Sequence, residues 1–445
     1  MQKFKPTKLS IPKLDEIILE ITVFQVLIIC WISLDLQDIV NHILVILIII
    51  SFIKKQKFFV SPLFGILLMF TGYQLFNYIF IGGDFYFVLR NWYRTFKSIL
   101  LIIYYTGLLK TKYLFVEFFL LKHLKLFNFF AIVNIPILLS QISHDFSTTS
   151  FESFIGSISY KNAMYYSKDL MSGLFGLFGT PRLAVFMSFI IMFNYVANRL
   201  INKTKSSLYD IYNWLLSFFY IWAATQNDNK GFFIIFALFL FTTYISITNN
   251  NLSSCCYIPV NEKRQILFIR ISIFFLAIAS IFAITYTSSE LFEETFNEAF
   301  LKIKDGFLSS ANPNNITGGG ERFAMILFAL NTIDTALFGY GLGNYLYTSG
   351  NLGFKHFGQA DIGTFICLGG CVYILLLYSV IYMAFKTTQN SYLITKAMLF
   401  LFFILSIYTH VLMDTGITIS LLWFYVIIYI THMRSMIYLK GWDLQ

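Results

Sequence analysis

The stretch FFIIFALFLF at residues 232–241 decides the class of this protein, because it leaves no polar face for water along nearly three helical turns. Strands of a transmembrane β-barrel alternate apolar and polar residues, so an unbroken run of this kind favours a helix. Similar runs recur along the 445 residues, of which 57% are hydrophobic and only 12% are charged. Soluble proteins carry about 25% charged residues. The composition therefore predicts an all-α integral membrane protein.

Apolar runs separated by polar breaks predict a single polytopic domain over residues 1–445, with about twelve transmembrane helices. A crossing needs ~20 apolar residues, so little chain remains for a soluble catalytic domain. The predicted spans are 15–34, 39–53, 58–80, 85–109, 124–142, 173–197, 207–225, 231–248, 265–286, 361–385, 392–413 and 416–431. The apolar stretch 112–121 is about half as long as a span, and we expect it to lie at the membrane interface.

The distribution of cations predicts the orientation of the chain. Lysines and arginines cluster before the first span and in alternate loops, for example at 54–57, 199–205 and 263–264. The short loops on the other side hold only Lys161, Lys168 and Lys230. The positive-inside rule then places both termini in the cytoplasm, which agrees with an even number of spans. The net charge of +9 is explained by this bias, and a nucleic-acid partner is not expected.

Two of the predicted outer loops are longer than a turn, at 143–172 and at 287–360 between spans nine and ten. In the second, the segment 321–337 spaces its apolar residues on one helical face. These residues are Phe323, Ile326, Leu327, Leu330, Ile333 and Leu337. We expect one amphipathic helix on the outer leaflet, ended by the glycine-rich turn at 339–343. A plain external loop with a packing helix fits the same spacing.

Three cations inside the fourth span are the strongest functional signal. Arg90, Arg94 and Lys97 follow Asp84 at intervals that confine them to an arc of roughly 60° on one face of a helix. A cation at the centre of a membrane helix costs ~2.5–3.5 kcal/mol on insertion scales. Snorkelling to headgroups accounts for Arg90 alone but poorly for the two deeper cations. The stripe therefore predicts an internal anion-binding site.

Other cations are predicted at the same outer depth, namely Arg182 in span six, Lys230 at the start of span eight and Arg322 at the start of the loop helix. Taken singly, each is compatible with a surface charge or a structural ion pair. Together with the stripe in span four they indicate an outward-facing polycationic site. A diphosphate attached to a lipid is the anion that is both embedded in the membrane and available at the outer leaflet.

Several residues near this site can transfer a proton. They are Asp84, Asp145, Asp228, Glu321, His356 and Asp361. His42, His144, His356 and His410 all lie near the outer side, and His356 has the most favourable position, just before span ten. Its unperturbed pKa near neutrality suits a general base. No zinc, nucleotide or serine-hydrolase motif is present in the sequence, so neither a metal nor another cofactor is expected.

Four local motifs resemble the O-antigen polymerase and O-antigen ligase superfamily of bacterial envelope glycan assembly. They are GLFGTPR at 176–182, NKG at 229–231, Arg322 followed by FGYGLG at 338–343, and DIGTF at 361–365 leading to the glycine pair 369–370. The twelve spans and the long loop after span nine match this superfamily over nearly the whole chain. Lys230 stands where many members have arginine, and the start of span ten resembles polymerases more than ligases.

The resemblance implies metal-independent transfer of a glycan, with inversion, between lipid-linked chains at the periplasmic face of the bacterial inner membrane. Arg90, Arg94, Lys97, Arg182, Lys230 and Arg322 are the candidate ligands of the undecaprenyl diphosphate. His356, Asp361 and Arg322 are the candidate catalytic residues. The expected partners are the undecaprenyl-diphosphate-linked oligosaccharide, membrane lipids, a chain-length regulator and a flippase.

Two alternatives remain open at this point. One is an O-antigen ligase of the same superfamily, and the other is a flippase or transporter of lipid-linked oligosaccharides. A transporter would also use buried cations for a diphosphate, but it would be expected to show internal repeats and discontinuous paired helices. The sequence shows no convincing repeat and contains a long external loop, so it favours the enzyme.

The predicted orientation can be tested with reporter fusions. Alkaline phosphatase, which is active only outside the cytoplasm, should be active when fused after Asn312 and inactive when fused after Lys205, because the cation bias puts these positions on opposite sides. An inactive fusion at Asn312 would place the proposed site at the wrong leaflet.

Overall fold

The computed structural model describes residues 13–29, 34–55, 61–142, 173–175, 179–198, 207–226, 230–253, 321–343, 360–388 and 392–442, with isolated positions at 280, 287, 297 and 301. Within these ranges the regular elements are helical, and the β-type pairing is an isolated bridge between Gly83 and Gly343. The predicted all-α class is therefore confirmed for the part of the chain that the structure describes.

The helices follow the apolar runs of the sequence. They are α1 Lys13–Phe24, continued by a π-helical turn Gln25–Ile29, α2 Leu34–Lys55, α3 Pro62–Ile81, α4 Phe85–Ile142, α5 Thr180–Val196, α6 Ser207–Gln226, α7 Lys230–Ser253, α8 Glu321–Ala329, α9 Ile333–Phe338, α10 Asp361–Lys386, α11 Tyr392–Tyr408 and α12 Thr415–Trp442. A 3-10 turn at Gly173–Phe175 precedes α5.

Five of the described helices contain a segment long and apolar enough to cross a membrane. These segments are Leu36–Lys54, Pro62–Ile81, Phe85–Ile142, Asp361–Lys386 and Thr415–Met433. The part of the chain that the structure describes is thus all-helical and contains helices of membrane-spanning length. Predicted span nine, the loop 143–172 and most of the loop 287–360 lie outside the described residues. The total of twelve spans therefore stays a prediction.

Helix α4 differs from the predicted spans. It is a 58-residue element that covers predicted span four, the stretch 112–121 and span five, with non-helical backbone angles at Lys112 (φ −144°, ψ 40°). The stretch 112–121 is not set apart from predicted span five, because its residues open the second helical segment, which continues to Ile142. Its location at the membrane interface stays a prediction. Phe115, Val116 and Phe119 are buried in this stretch. The boundary predicted near Lys112 is where the kink occurs.

The loop helix predicted over 321–337 is also wrong in one respect, because it is divided into α8 and α9. Thr332 caps α9: its Oγ accepts a hydrogen bond from the backbone N–H of Thr335 (3.2 Å), and its own N–H donates to the Thr335 hydroxyl (3.3 Å). Met325 and Ala329 of α8 are fully buried, whereas Ile333 is 76% exposed. Met325 and Ala329 are not among the apolar residues counted on the predicted face, of which Leu330, Ile333 and Leu337 are exposed.

The described chain forms two compact units. The first comprises Met1–Ser61, Leu100–Phe236 and Thr415–Val426, and the second comprises Pro62–Ile99, Ala237–Asp414 and Ile427–Gln445. In the first unit, Trp423 packs against the rings of Phe127 and Phe189, with centroids 4.9 and 5.5 Å away. Its indole N–H donates to the hydroxyl of Tyr105 (3.1 Å), so the polar edge of this buried ring is satisfied.

A buried ion pair lies at the kink of α4 in the first unit. Nζ of Lys112 lies 2.9 Å from Oδ2 of Asp15, whose side chain is only 2% exposed. The hydroxyl of Tyr104 donates to the other carboxylate oxygen at 2.9 Å. Both oxygens of the buried carboxylate therefore have a partner, as a charge removed from water requires.

The second unit is built around α10, which is interrupted at Gly370 (φ 69°, ψ −174°). Helix α3 packs antiparallel to it: the ring of Phe70 lies 5.0 Å from that of Tyr373, and Tyr73 contacts Gly369 one turn nearer the start of α10. Helices α8 and α9 pack against the first half of α10, and α11 packs against its second half. Residues 361–370 are all buried.

The interruption frees backbone carbonyls that a continuous helix would use. The N–H of Tyr340 donates to the carbonyl of Cys367 (2.7 Å), and the N–H of Gly341 donates to that of Leu368 (3.0 Å). The hydroxyl of Tyr73 donates to the carbonyl of Gly369 (2.7 Å). An unsatisfied peptide group in an apolar setting costs several kcal/mol, so these three bonds make the break possible.

Substitution of Gly370 tests this architecture. A Cβ atom there would clash with the carbonyl of Leu337, and the positive φ adds about 1–3 kcal/mol of strain for a residue with a side chain. Gly370→Ala should therefore clearly lower the thermal unfolding temperature of the purified full chain. The matched control is Gly65→Ala in α3, where a Cβ meets no atom within 4 Å. Equal unfolding temperatures for both variants would contradict the interrupted helix.

Candidate functional site

The site is organised by residues 339–343, which we call the glycine turn and which lie against the break in α10. Asn77 of α3 holds both ends of this turn: its Nδ2 donates to the carbonyl of Phe338 (2.7 Å), and its Oδ1 accepts from the N–H of Leu342 (2.8 Å). Asn91 of α4 donates to the carbonyl of Leu342 (2.9 Å). Both asparagines are buried, so their amides replace water as partners of the turn.

Glycine is required at two close approaches in the turn. Gly339 has φ 75°, and a Cβ there would overlap the backbone of Leu368 and Gly369. At the other end, a Cβ on Gly343 would lie 2.8 Å from Cα of Gly83, and the N–H of Asp84 donates to the carbonyl of Gly343 (3.1 Å). The turn therefore lies directly on the backbone of α10 and on the connection between α3 and α4.

The cationic stripe predicted in span four lies in this second unit. Asn91 reaches the glycine turn, and the hydroxyl of Thr95 lies 3.2 Å from that of Tyr373, just beyond the break in α10. Arg90 and Arg94 are half-buried in the same two turns of α4, and Lys97 is only 6% exposed. The burial of Lys97 distinguishes it from a lysine that extends to headgroups.

Asp361 forms the polar start of α10. Its side chain is fully buried, and its Oδ1 lies 3.2 Å from Nδ1 of His410, which is 28% exposed. The other oxygen accepts the backbone N–H of Leu412. The backbone N–H of Asp361 in turn donates to the carbonyl of Thr409 (3.3 Å). A buried carboxylate is thus paired with a histidine that retains an exposed part of its ring.

Arg322 is placed by its backbone in the first turn of α8. Three residues later, the carbonyl of Met325 accepts a hydrogen bond from Sγ of Cys367 (3.3 Å), which lies three residues before Gly370. The backbone of Arg322 therefore lies about one helical turn, ~5 Å along α8, from the contact with α10. Its side chain lies outside the described residues. The elements that carry Arg322, Asp361 and the stripe of α4 all belong to the second unit.

Arg182 and Lys230 belong to the first unit. Arg182 is half-buried and donates through Nη2 to Oε1 of Gln37 at 3.2 Å. Lys230 begins α7, and its side chain is not among those described. His356, the predicted base, lies outside the described residues. These three assignments stay predictions.

An open groove of about 550 Å³ lies beside the glycine turn, between the end of α3 and α9. Phe76, Phe80 and Phe338 line it, and Asp334 and Thr335 add polar groups at one side. The rings of Phe76 and Phe80 lie 4.2 Å apart. The aromatic rings provide apolar contact, and the carboxylate provides hydrogen-bond acceptors for hydroxyl groups. Within the described ranges, no cluster of His, Cys, Asp and Glu side chains has the arrangement of a metal site.

His410 is the residue of this site that sequence reasoning did not single out. It was one of four histidines predicted near the outer side, and nothing in its local sequence distinguished it from His356. One signal was available: if α10 and α11 are consecutive antiparallel helices, the start of α10 and the end of α11 lie at the same side. That topology alone places His410 and Asp361 at the same end of this pair of helices.

No family model, curated protein or solved structure matches this chain. The resemblance to the glycan-polymerising superfamily therefore rests on the motifs in the sequence.

Proposed function

We propose that this protein is a membrane-embedded glycan polymerase of the O-antigen type. It transfers a glycan from an undecaprenyl diphosphate donor to a lipid-linked repeat unit at the periplasmic face of the bacterial inner membrane, with both termini in the cytoplasm. The observation that carries the proposal is the cationic stripe of α4, with Lys97 buried, in the same helical turns that contact the glycine turn and the interrupted α10.

Charge neutralisation is the chemistry that such a stripe provides. A diphosphate leaving group carries its negative charge away with the glycosidic electron pair, so it requires fixed cations more than a proton donor. Cations preorganised in a site of low dielectric stabilise that developing charge without further reorganisation. Arg90, Arg94 and Lys97 serve this role in the proposal, joined by Arg322, whereas Arg182 and Lys230 stay candidate ligands on the sequence alone. The transfer then needs neither a metal ion nor another cofactor.

The groove beside the glycine turn suits the sugar portion of a substrate. Its aromatic rings provide flat apolar contact for sugar faces, and Asp334 accepts hydrogen bonds from hydroxyl groups. The carboxylate of Asp334 disfavours an anion in the groove, whereas the cations of the α4 stripe favour one. The proposed partners are the lipid-linked oligosaccharide and membrane lipids, with a chain-length regulator and a flippase acting before or alongside the enzyme.

The break in α10 favours a second candidate, a transporter of lipid-linked oligosaccharides. Transporters often use discontinuous helices whose free backbone groups bind the substrate. In α10, however, the carbonyls of Cys367, Leu368 and Gly369 accept hydrogen bonds from the protein itself. The break therefore holds the glycine turn and does not leave those carbonyls for a ligand, so we favour the enzyme. An O-antigen ligase is the remaining alternative and shares the same donor chemistry.

Deletion of the gene distinguishes these candidates. Loss of a polymerase should leave surface lipid carrying a single repeat unit, because ligation still occurs but chains do not grow. Loss of a ligase should remove the glycan from the surface lipid altogether, and loss of a transporter should trap the precursor at the cytoplasmic face. Gel analysis of surface glycolipid, with a complemented strain as control, separates the three results. Unchanged long chains would contradict all of them.

The cationic stripe should respond to charge removal according to depth. Arg94→Ala and Lys97→Ala should raise the donor concentration needed for half-maximal polymerisation by at least tenfold, because hydrogen bonds to charged groups contribute about 1.5–3 kcal/mol. Arg90→Ala should have a smaller effect. The assay uses full-length protein in vesicles with synthetic donor. Lys386→Ala is the matched control, since this exposed cation lies at the far end of α10.

A different order of effects would overturn the role of the stripe. If the cations only anchor the helix to headgroups, Arg90→Ala should have the largest effect, and the size of that effect should depend on the content of anionic lipid. Wild-type donor dependence in both deep variants would rule out donor binding by this face of α4.

A further inference from the structure

The pair formed by Asp361 and His410 has a geometry that fixes the histidine ring. The carboxylate is fully buried and lies at 3.2 Å from Nδ1, and its second oxygen is occupied by the N–H of Leu412. An ionised carboxylate only accepts hydrogen bonds, so its contact with Nδ1 favours the tautomer that has the proton on Nδ1 and the lone pair on Nε2. Among the described residues no hydrogen bond is made to Nε2, and 28% of the side chain is exposed.

We propose that His410 is the general base of the glycan transfer and that Asp361 is the residue that positions it. This inference rests on the proposed function and deepens it, because it names the residue that takes the proton from the acceptor sugar. A buried carboxylate bound to Nδ1 orients the ring and stabilises the cation formed when Nε2 takes up a proton, which is the logic of other carboxylate–histidine pairs. His356 stays the alternative candidate for the base.

The reaction step balances as follows. Nε2 of His410 accepts the proton of an acceptor sugar hydroxyl as the hydroxyl oxygen forms a bond to the anomeric carbon of the donor. The bond between that carbon and the diphosphate oxygen breaks, and its electron pair leaves with undecaprenyl diphosphate. The proton stays on the imidazolium beside Asp361 until water or the departing diphosphate removes it.

The location of the pair agrees with the other parts of the site. Asp361 lies six residues before Cys367, whose carbonyl accepts the N–H of Tyr340 in the glycine turn. At 1.5 Å per residue, the pair is about 9 Å along α10 from the turn. One or two sugar rings span such a distance. A glycan seated beside the turn therefore reaches His410 without a large movement of the helices.

A purely structural role for the pair makes a different prediction. His410→Asn keeps a side-chain N–H where Nδ1 donates to Asp361 but has no basic nitrogen. If His410 is the base, this variant should bind undecaprenyl diphosphate as the wild type does and should lose about 10²–10⁴-fold in turnover. If the pair only stabilises the fold, the variant should retain turnover or should lose donor binding and thermal stability together. His42→Asn is the control, as an exposed histidine of the other unit.

Nitrogen NMR of protein labelled in histidine gives an independent measurement. The signal that disappears in His410→Asn should show a protonated Nδ1 and an unprotonated Nε2. Asp361→Asn removes the negative charge while keeping the size of the side chain, so it should lower turnover with little change in donor affinity. A protonated Nε2 in the wild type, or wild-type turnover in His410→Asn, would overturn the proposal.

Failure of this inference is distinguishable from failure of the proposed function. If the wild-type protein polymerises the donor and His410→Asn does so at the same rate, only the assignment of the base is wrong. If the purified wild-type protein does not extend a lipid-linked acceptor at all while binding the diphosphate lipid, both the polymerase and its base are contradicted.

Discussion

The second unit depends on one constraint, namely that backbone carbonyls freed inside an apolar helix must find hydrogen-bond donors. Helix α10 departs from regular helical geometry at Gly370, and its first half is buried away from solvent. The glycine turn and Tyr73 supply the donors at 2.7–3.0 Å. Because the donors of the turn are backbone N–H groups, the turn must approach α10 without intervening side chains, which explains its glycines.

This constraint also positions the functional groups. The backbone carbonyls and N–H groups on the side of the glycine turn away from α10 also need hydrogen-bond partners. Asn77 of α3 and Asn91 of α4 provide them. Asn91 lies in the same helical turns as Arg90, Arg94 and Lys97, about 100° around the helix axis from Arg90. Asp361 is held at the start of the same α10 by His410 and Leu412. The helix that carries the proposed cations and the residue proposed as the base both contact the interrupted α10.

The sequence predicted the class and several boundaries because those depend on local pattern. Apolar composition indicated helices in a membrane, the start of α10 was placed at Asp361, and the end of α9 was placed at the glycine turn. The kink at Lys112 coincided with a predicted boundary, although the following stretch did not form its own helix. The division of the loop helix was missed, because Thr332 and Thr335 form a capping box that a count of apolar residues ignores.

The site itself was predicted only in part, for a physical reason. The glycine pair at 369–370 was visible, but the break at Gly370 depends on donors from Tyr340 and Gly341 that are distant in sequence. Likewise, His410 and Asp361 are 49 residues apart and meet only because α10 and α11 pack together. A local pattern identifies residues able to do chemistry, such as the buried stripe of α4, but it does not say which of them share a site.

The most direct test of the central claim is cryo-electron microscopy of the full chain in lipid nanodiscs with undecaprenyl diphosphate bound. The account predicts density for the diphosphate against the face of α4 that holds Arg90, Arg94 and Lys97, with α10 interrupted at Gly370 and the glycine turn seated on it. A diphosphate bound away from that face, or a continuous α10 with the turn displaced, would contradict it.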